Sequence, residues 1–338
     1  MCIATGRGAL GRAGAGWARV WRVATWVSLG IALPVAAIAQ TYPARPVRIV
    51  VPFAPGGGTD VVARIVGARL SERMGQSFII DNRPAASGIV GTDIVAKAAP
   101  DGYTLLGMFS THATSSQLFS KLPYDPIRDF QPISQVTLSP LVLVVHPSLP
   151  VNSVGDLVTY GRANTGKLNY GSSGPGSAPH LATELLLSAA GFAMTHVVYK
   201  GVAPYLAATM SGEVQLSMSN ALTAMPQVRA GKLRALGSGS LTRSAAVPEL
   251  PTIAEQGLPG FETVVWYGFG APAKTPRPII DRLHAEMRAI AGTPEFRQSM
   301  LAQGNDPTGT TPEQFAAIVA ADAKKWGDIG RRLNIRLD

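Results

Sequence analysis

Apolar positions along the chain fall into short runs separated by glycine-, serine- and proline-rich breaks, and their period alternates. Val47, Ile49, Val50 and Val51 read as a strand, whereas Val62, Ile65, Val66, Leu70 and Met74 recur at helical spacing until Gly75 closes the helix. Phe78-Ile79-Ile80 predicts a second strand and Ile89 to Ala98 a second helix. Tyr103 to Met108 is a third strand, running into a polar loop, Ser110-Thr111-His112-Ala113-Thr114-Ser115. Strands alternating with helices predict a parallel α/β sheet, whose ligands sit at the carboxyl ends of the strands.

Between Gln131 and Val145 the pattern changes to two extended segments, Ile133 to Val136 and Leu141 to Val145, broken by Ser139-Pro140. This marks a crossing into a second α/β unit. That unit opens with the helix Val154 to Arg162 and the strand Leu168-Asn169-Tyr170, followed by Gly171-Ser172-Ser173-Gly174-Pro175-Gly176-Ser177. Ser177 is a fitting N-cap for a helix with Pro179 in its first turn and Leu181, Leu185 and Leu186 on its buried face. Similar junctions follow at Tyr199-Lys200-Gly201-Val202-Ala203-Pro204 and at Ser217-Met218-Ser219-Asn220. Leu233 to Leu236 is a further strand, Val264 to Phe269 resembles a strand returning to the first unit, and helices are predicted over 278–291, 294–303 and 312–333.

The first of these junctions, Pro52-Phe53-Ala54-Pro55-Gly56-Gly57-Gly58-Thr59-Asp60, is the most distinctive. Three glycines remove every Cβ where backbone N–H groups at a helix N-terminus point outward, and Thr59 or Asp60 can cap the helix. That is the build of an anion cradle; an ordinary tight βα turn would use the same residues.

Residues 1–22 carry four arginines and no acid, and precede the apolar run Val23 to Ala36 and then Ala37-Ile38-Ala39. This is the pattern of a signal peptide cleaved after Ala39, with export to the periplasm expected. Cleavage would lower the formal charge from +9 to +5 by removing those four arginines. Only 15% of residues are charged, and no Lys/Arg cluster is interleaved with aromatics, so no nucleic-acid partner is expected. Cys2, the single cysteine, falls in the signal segment, so neither a disulfide nor a thiolate metal site is expected.

Catalytic signatures are sparse. His112, His146, His180, His196 and His284 form no HxxxH or HxH pair, and Gly171-Ser172-Ser173-Gly174 gives G-x-S-x-G in no register. A secreted Ser/His hydrolase using Ser173 and His180 is the sharpest enzymatic alternative, and Lys200 lacks the base or cofactor that a catalytic amine needs. No enzyme activity, cofactor or metal is expected. Several Gly/Ser/Thr/Asn loops at strand ends instead suit a carboxylate held between two units by backbone N–H groups and hydroxyls.

The motifs carry a family resemblance. Pro52-Phe53-x-Pro55-Gly56-Gly57-x-x-Asp60, Asn82-Arg83-Pro84, Pro100-Asp101-Gly102-Tyr103, Leu122-Pro123-Tyr124-Asp125-Pro126, Tyr170-Gly171-Ser172-Ser173-Gly174, Tyr199-Lys200-Gly201 and Pro251-Thr252-Ile253-Ala254-Glu255 resemble the Bug, or TctC-like, solute receptors of tripartite tricarboxylate transporters. The resemblance implies an α/β, two-lobed periplasmic-binding-protein fold of type II-like form, with parallel-rich mixed sheets flanked by helices and a two-strand hinge. Lobe 1 is then 40–138 with 264–338, and lobe 2 is 139–263.

It also implies that Phe53, Gly56, Gly57, Thr59, Ser87 and Gly88 hold one carboxylate of the ligand, with Ser172, Ser173, Ser177, Lys200, Gly201 and Ala203 closing from the other lobe. Asp60, Ser110, Thr111, His112, Gly174, Ser219 and Asn220 complete the candidate set from the same loops. Two departures stand out. Ala85 follows Asn-Arg-Pro where many relatives have glycine, and Ser219 stands where many have an acid that can pair with a ligand ammonium. A carboxylate without an amine is therefore expected, bound by a monomer that serves membrane transporter subunits. A sensor docking on a membrane signalling partner such as a sensor kinase, and a purely structural envelope protein, are the alternatives.

Overall fold

A computed structural model describes residues 42–84, 88–119 and 121–332; the expected signal peptide lies outside them, as does Ser87. The first unit opens with β1 (Val47–Val51), α1 (Gly58–Met74), β2 (Phe78–Asn82), α2 (Ile89–Ala96), β3 (Thr104–Phe109) and α3 (Thr111–Leu118). The long strand β4 (Phe130–Val145) follows, then α4 (Val154–Ala163), β5 (Asn169–Ser172), α5 (Ala178–Ala190), β6 (Thr195–Val198), α6 (Val202–Ser211), β7 (Leu216–Asn220), α7 (Ala221–Arg229) and β8 (Arg234–Ser238). The chain closes with β9 (Val264–Pro272), α8 (Arg277–Ala291), α9 (Pro294–Ala302), β10 (Asp306–Pro307) and α10 (Pro312–Arg332).

Among the described residues the strands join in the order β2-β1-β3-β9-β4-β7-β5-β6, with β8 and β10 also on β4. β1, β2 and β3 are mutually parallel, as are β5, β6 and β7. β4 is common to both groups: its first part pairs with β9 and β10, its last part with β7 and β8. The two segments expected on either side of Ser139-Pro140 are thus one strand. Pro140 is tolerated because it sits where the ladder passes from one sheet to the next, Pro140 opposite Val264 and Leu141 opposite Asn220.

The register of β4 places the functional ends of the sheet. β3 and β4 are both antiparallel to β9, so they run the same way, whereas β7 runs against β4. Phe109, which ends β3, is level through Tyr267 with Thr137, and Asn220, which ends β7, is level with Leu141. The two sets of carboxyl ends therefore point at each other along β4, across four residues or about 13 Å. Among the described residues β4 runs through that gap, with β9 beside it from Thr137 to Pro140 and β10 beside Thr137 and Leu138.

Apolar faces explain the helices. Val62, Val66 and Leu70 of α1 are buried against the sheet beside Ile280, Leu283, Met287 and Ile290 of α8, and Arg73 donates to Glu286 across the two helices at 2.6 Å. α10 spans both groups: Phe315 and Val319 pack with Trp266 and Phe130, while Trp326 and Ile329 pack with Leu181 of α5.

The polar loop expected at 110–115 is instead the start of α3. Its residues have poor helix propensity, but Thr114 Oγ1 donates to Thr111 O and Ser115 Oγ to His112 O inside the turn, and Ala113 is fully buried. Tertiary packing decides this element.

Candidate functional site

The cradle is a frame built by one carboxylate. Asp60 is 2% exposed; its Oδ2 accepts from the Gly56 N–H at 2.8 Å and from Arg64 Nε at 3.0 Å, and its Oδ1 from Asn82 Nδ2 at 2.9 Å. Asn82 also donates to Phe53 O at 3.1 Å and accepts from Arg64 Nη2 at 3.0 Å. Burial works against the charged form, but the bonds from Arg64, Gly56 and Asn82 outweigh it and hold Asp60 below the ordinary carboxylate range. Asp60 thus engages both oxygens in fixing the loop from Phe53 to Gly56 and lies buried behind it.

Gly56 has a positive φ of 82°, and Gly57 is the N-cap of α1 with no side-chain hydrogen bond at that cap. Gly56 and Gly57 are exposed, and no side chain crowds the space beside either. The first N–H groups of α1 are therefore presented outward, at the positive end of the helix dipole. Gly58 differs: a side chain there would meet Tyr267, whose ring Cζ lies 2.7 Å from the Cβ position. Thr59 is buried, its methyl over Gly107 of β3. Gly88, with φ of 93°, is the N-cap of α2 and again has no side-chain cap bond; a Cβ there would sit 3.3 Å from the Phe53 ring. Phe53 stands edge-on to Phe109 at 5.8 Å, and Phe109 lies 5.2 Å from Tyr267. These rings floor the cradle.

Ser110 and Thr111, with Thr114, line a narrow seam against Gly176, Ala178 and Leu181 of the second group, backed by Leu141, Val265 and Trp326. His112 turns away from this seam. Its Nε2–H donates to Pro126 O at 2.8 Å, which leaves Nδ1 as an unpaired buried acceptor, and its ring sits edge-on to Phe130 at 4.8 Å. Burial drives His112 down to about 4, against the opposing pull of the Pro126 bond, so it is neutral near pH 7.

On the facing side, Ser172 is fully buried, with its Oγ 2.7 Å from His196 Nε2 and accepting from the Gly174 N–H at 3.1 Å. Ser177 caps α5 through the His180 N–H and donates to Gly174 O at 2.7 Å, while His180 Nδ1 accepts from the Gly176 N–H at 3.0 Å. The rings of His180, His196 and Tyr170 stack at 4.2 and 4.8 Å, and burial with the neighbouring His180 lowers His196 to about 4. The Ser172 to Ser177 loop is thereby braced from behind, with Ser173 half-buried and Gly174 at a φ of 123°.

Lys200 is exposed, Gly201 with φ of 110° precedes α6 without a side-chain cap bond, and Ala203 is exposed in its first turn. Asn220 is the N-cap of α7, also without a side-chain cap bond. Ser219 is fully buried, its hydroxyl shared between Tyr205 and Thr223 at 3.0 Å each, so it reaches a guest only through them.

Among the described residues five helices that follow these strand ends, α1, α2, α3, α6 and α7, leave their N-termini uncapped by side chains, whereas α4, α5 and α9 are capped by Ser153, Ser177 and Thr293. The uncapped set comes from both sides of the gap along β4. Such donors bind anions without a charged side chain. Asn82, Arg64, Phe109 and Tyr267 were not singled out by sequence reasoning as site residues; Asn82-Arg83 stood in the motif, while the aromatic floor had no local signal. Among the described residues no group of three His, Cys, Asp or Glu side chains could hold a metal ion.

A family model described as "Tripartite tricarboxylate transporter family receptor" matches residues 62–335. The chain belongs to this receptor family. Among its family relatives, Protein BugT of Bordetella pertussis is 36% identical over 91% of this chain and 94% of its own length. Two solved structures are also similar. "R. palustris Rpa4515 with adipate" is 38% identical with a TM-score of 0.75, covering 87% of this chain and 99% of that one. "MatC (Rpa3494) from Rhodopseudomonas palustris with bound malate" is 33% identical with a TM-score of 0.70, covering 85% and 99%. The family is one of receptors, and the two-lobed fold expected from the motifs is the fold of these neighbours. Among the described residues no helix is long and apolar enough to cross a membrane.

Proposed function

We propose that this receptor is exported to the periplasm, encloses a small organic carboxylate lacking an amine, and hands it on chemically unchanged to membrane transporter subunits. The observation that carries the reading is the opposition of the two sets of strand ends across about 13 Å of β4, with uncapped helix N-termini on both sides. Residues 40–138 and 264–338 form one lobe in this reading, 139–263 the other, and β4 with β9 the hinge.

Carboxylate chemistry is supported by the donors themselves and by relatives holding adipate and malate. The exclusion of an amine rests on Asp60: it is the acidic residue of the candidate set, and protein donors already take both its oxygens. An ammonium group entering the cleft would give up its hydration without meeting a carboxylate there.

Native mass spectrometry of the purified protein, before and after mild unfolding, weighs whatever the cleft retains, and a thermal-shift screen of carboxylates covers the case of an empty cleft. A retained or stabilising carboxylate without nitrogen is expected. No retained species together with no stabilising carboxylate would overturn the receptor reading, and nanomolar binding of glutamate or aspartate would overturn its amine-free clause.

A further inference from the structure

Tyr267 lies on β9, level with Phe109 of β3 and Thr137 of β4, far along the chain from the cradle. It is only 5% exposed, yet its hydroxyl has no hydrogen-bond partner among the described residues. That hydroxyl occupies the space beside Gly58 that any other residue would fill with a side chain, at the first residue of α1. The ring is buried, but the hydroxyl itself is not sealed from solvent, so its donor is open to a guest at the cradle. Here the unpartnered donor stands beside the outward N–H groups of a 17-residue helix whose N-cap, Gly57, offers no side-chain acceptor.

We propose that Tyr267 is a ligand-binding residue, its phenol O–H donating to the same carboxylate oxygen that the first N–H groups of α1 receive. This rests on the carboxylate reading of the cradle and adds to it a donor from the hinge strand. It also gives the three glycines separate roles, Gly56 and Gly57 opening the backbone to the guest and Gly58 opening it to the phenol. Burial keeps the phenol protonated, pushing it up to about 12, so it acts as a donor throughout the neutral range. Closure on a ligand then ties β9 to the cradle through one shared anion.

The test uses the full chain, with acetate and adipate as probes, and compares wild type with Tyr267→Phe. Amide NMR follows Gly57, Gly58 and Thr59, and tyrosine-Cζ labelling follows the phenols, the signal missing from the variant being Tyr267. Saturable movement of that signal with acetate is expected, together with adipate binding weakened about tenfold to a hundredfold in Tyr267→Phe, the usual loss for one hydrogen bond to a charged group. The unfolding midpoint of the variant should not fall, because the change removes an unpartnered hydroxyl; a purely structural role would lower it and leave affinity intact. Equal affinities in the two proteins, with the three amides shifting in both, would overturn the role of Tyr267 while leaving the cradle standing. No amide shift with either probe in wild type would overturn the cradle and the proposal together.

Discussion

Replacing Asp60 by asparagine separates a residue that holds the cradle from one that touches the guest. The change keeps size and shape but removes one charge and turns one acceptor into a donor. Three protein donors, from Gly56, Arg64 and Asn82, now converge on the carboxylate at 2.8 to 3.0 Å. An amide can satisfy those sharing one oxygen, and it sets N–H against N–H at the other. A bond to a charged group contributes about 1.5–3 kcal/mol, but the Arg64 side chain is 53% exposed and recovers water. A net loss of about 2 kcal/mol follows, equivalent to roughly 3 °C in melting temperature for a chain of this size. The sign of the affinity change decides the matter. If Asp60 acted only as a negative charge near a carboxylate ligand, removing that charge would tighten binding. If it holds the loop from Phe53 to Gly56, the variant must order that loop on binding, and adipate affinity falls about tenfold. Calorimetric titration of both proteins with adipate reads the difference, and equal or tighter binding by Asp60→Asn would refute the framing role.

Stability should fall as pH drops from 6.5 toward 4. His112 binds a proton at about 4 when folded against 6.5 when free, so the unfolded chain takes up protons first; the loss is about 1.4 kcal/mol per pH unit and about 3 kcal/mol in all from this residue. Urea midpoints above and below that window measure it, and His112→Phe should remove its share while leaving the like contribution of His196, which is also lowered to about 4. Trp266 Nε1–H donates to Asp322 Oδ2 at 2.6 Å, and burial already raises that acid against the opposing effect of the indole bond. Trp266→Phe is therefore expected to cost about 1–3 kcal/mol in urea denaturation, with Asp322→Asn in the same chain recovering part of it. Ser219→Asp places a charge where Tyr205 and Thr223 now share a hydroxyl; a lower melting temperature and weaker adipate binding are expected, and an unchanged titration would show that this wall does not face the ligand.

How far the sequence could be read follows from how local each cause is. The strand, glycine turn and helix around residues 47–74 depend on neighbours in the chain, and they stand where periodicity puts them, the helix starting within the glycines at Gly58. α3 was hidden because Thr111, His112, Thr114 and Ser115 offer no apolar period; its support comes from contacts with β3, α10 and the side-chain bonds within its turns. β4 appeared divided because Pro140 breaks a local rule that the exchange of ladder partners suspends. In the site, loop positions were visible but side-chain directions were not. Asp60 and His112 sit in the first turns of α1 and α3, where Asp60 is engaged by Gly56, Arg64 and Asn82 and His112 gives its Nε2–H to Pro126 O. Tyr267 was invisible for the complementary reason: its neighbour Gly58 lies more than half the chain away.

The unbroken course of β4 also sets a rule for building hybrid receptors. Because side chains alternate faces along a strand, the residues between Thr137 and Leu141 fix which face of each sheet turns inward on both sides at once. Halves exchanged between relatives at this point must keep the spacing in β4 even. A single inserted residue would present the outer face of one half to its own core, so parity across a few residues, more than the similarity of the joined halves, should decide which hybrids fold.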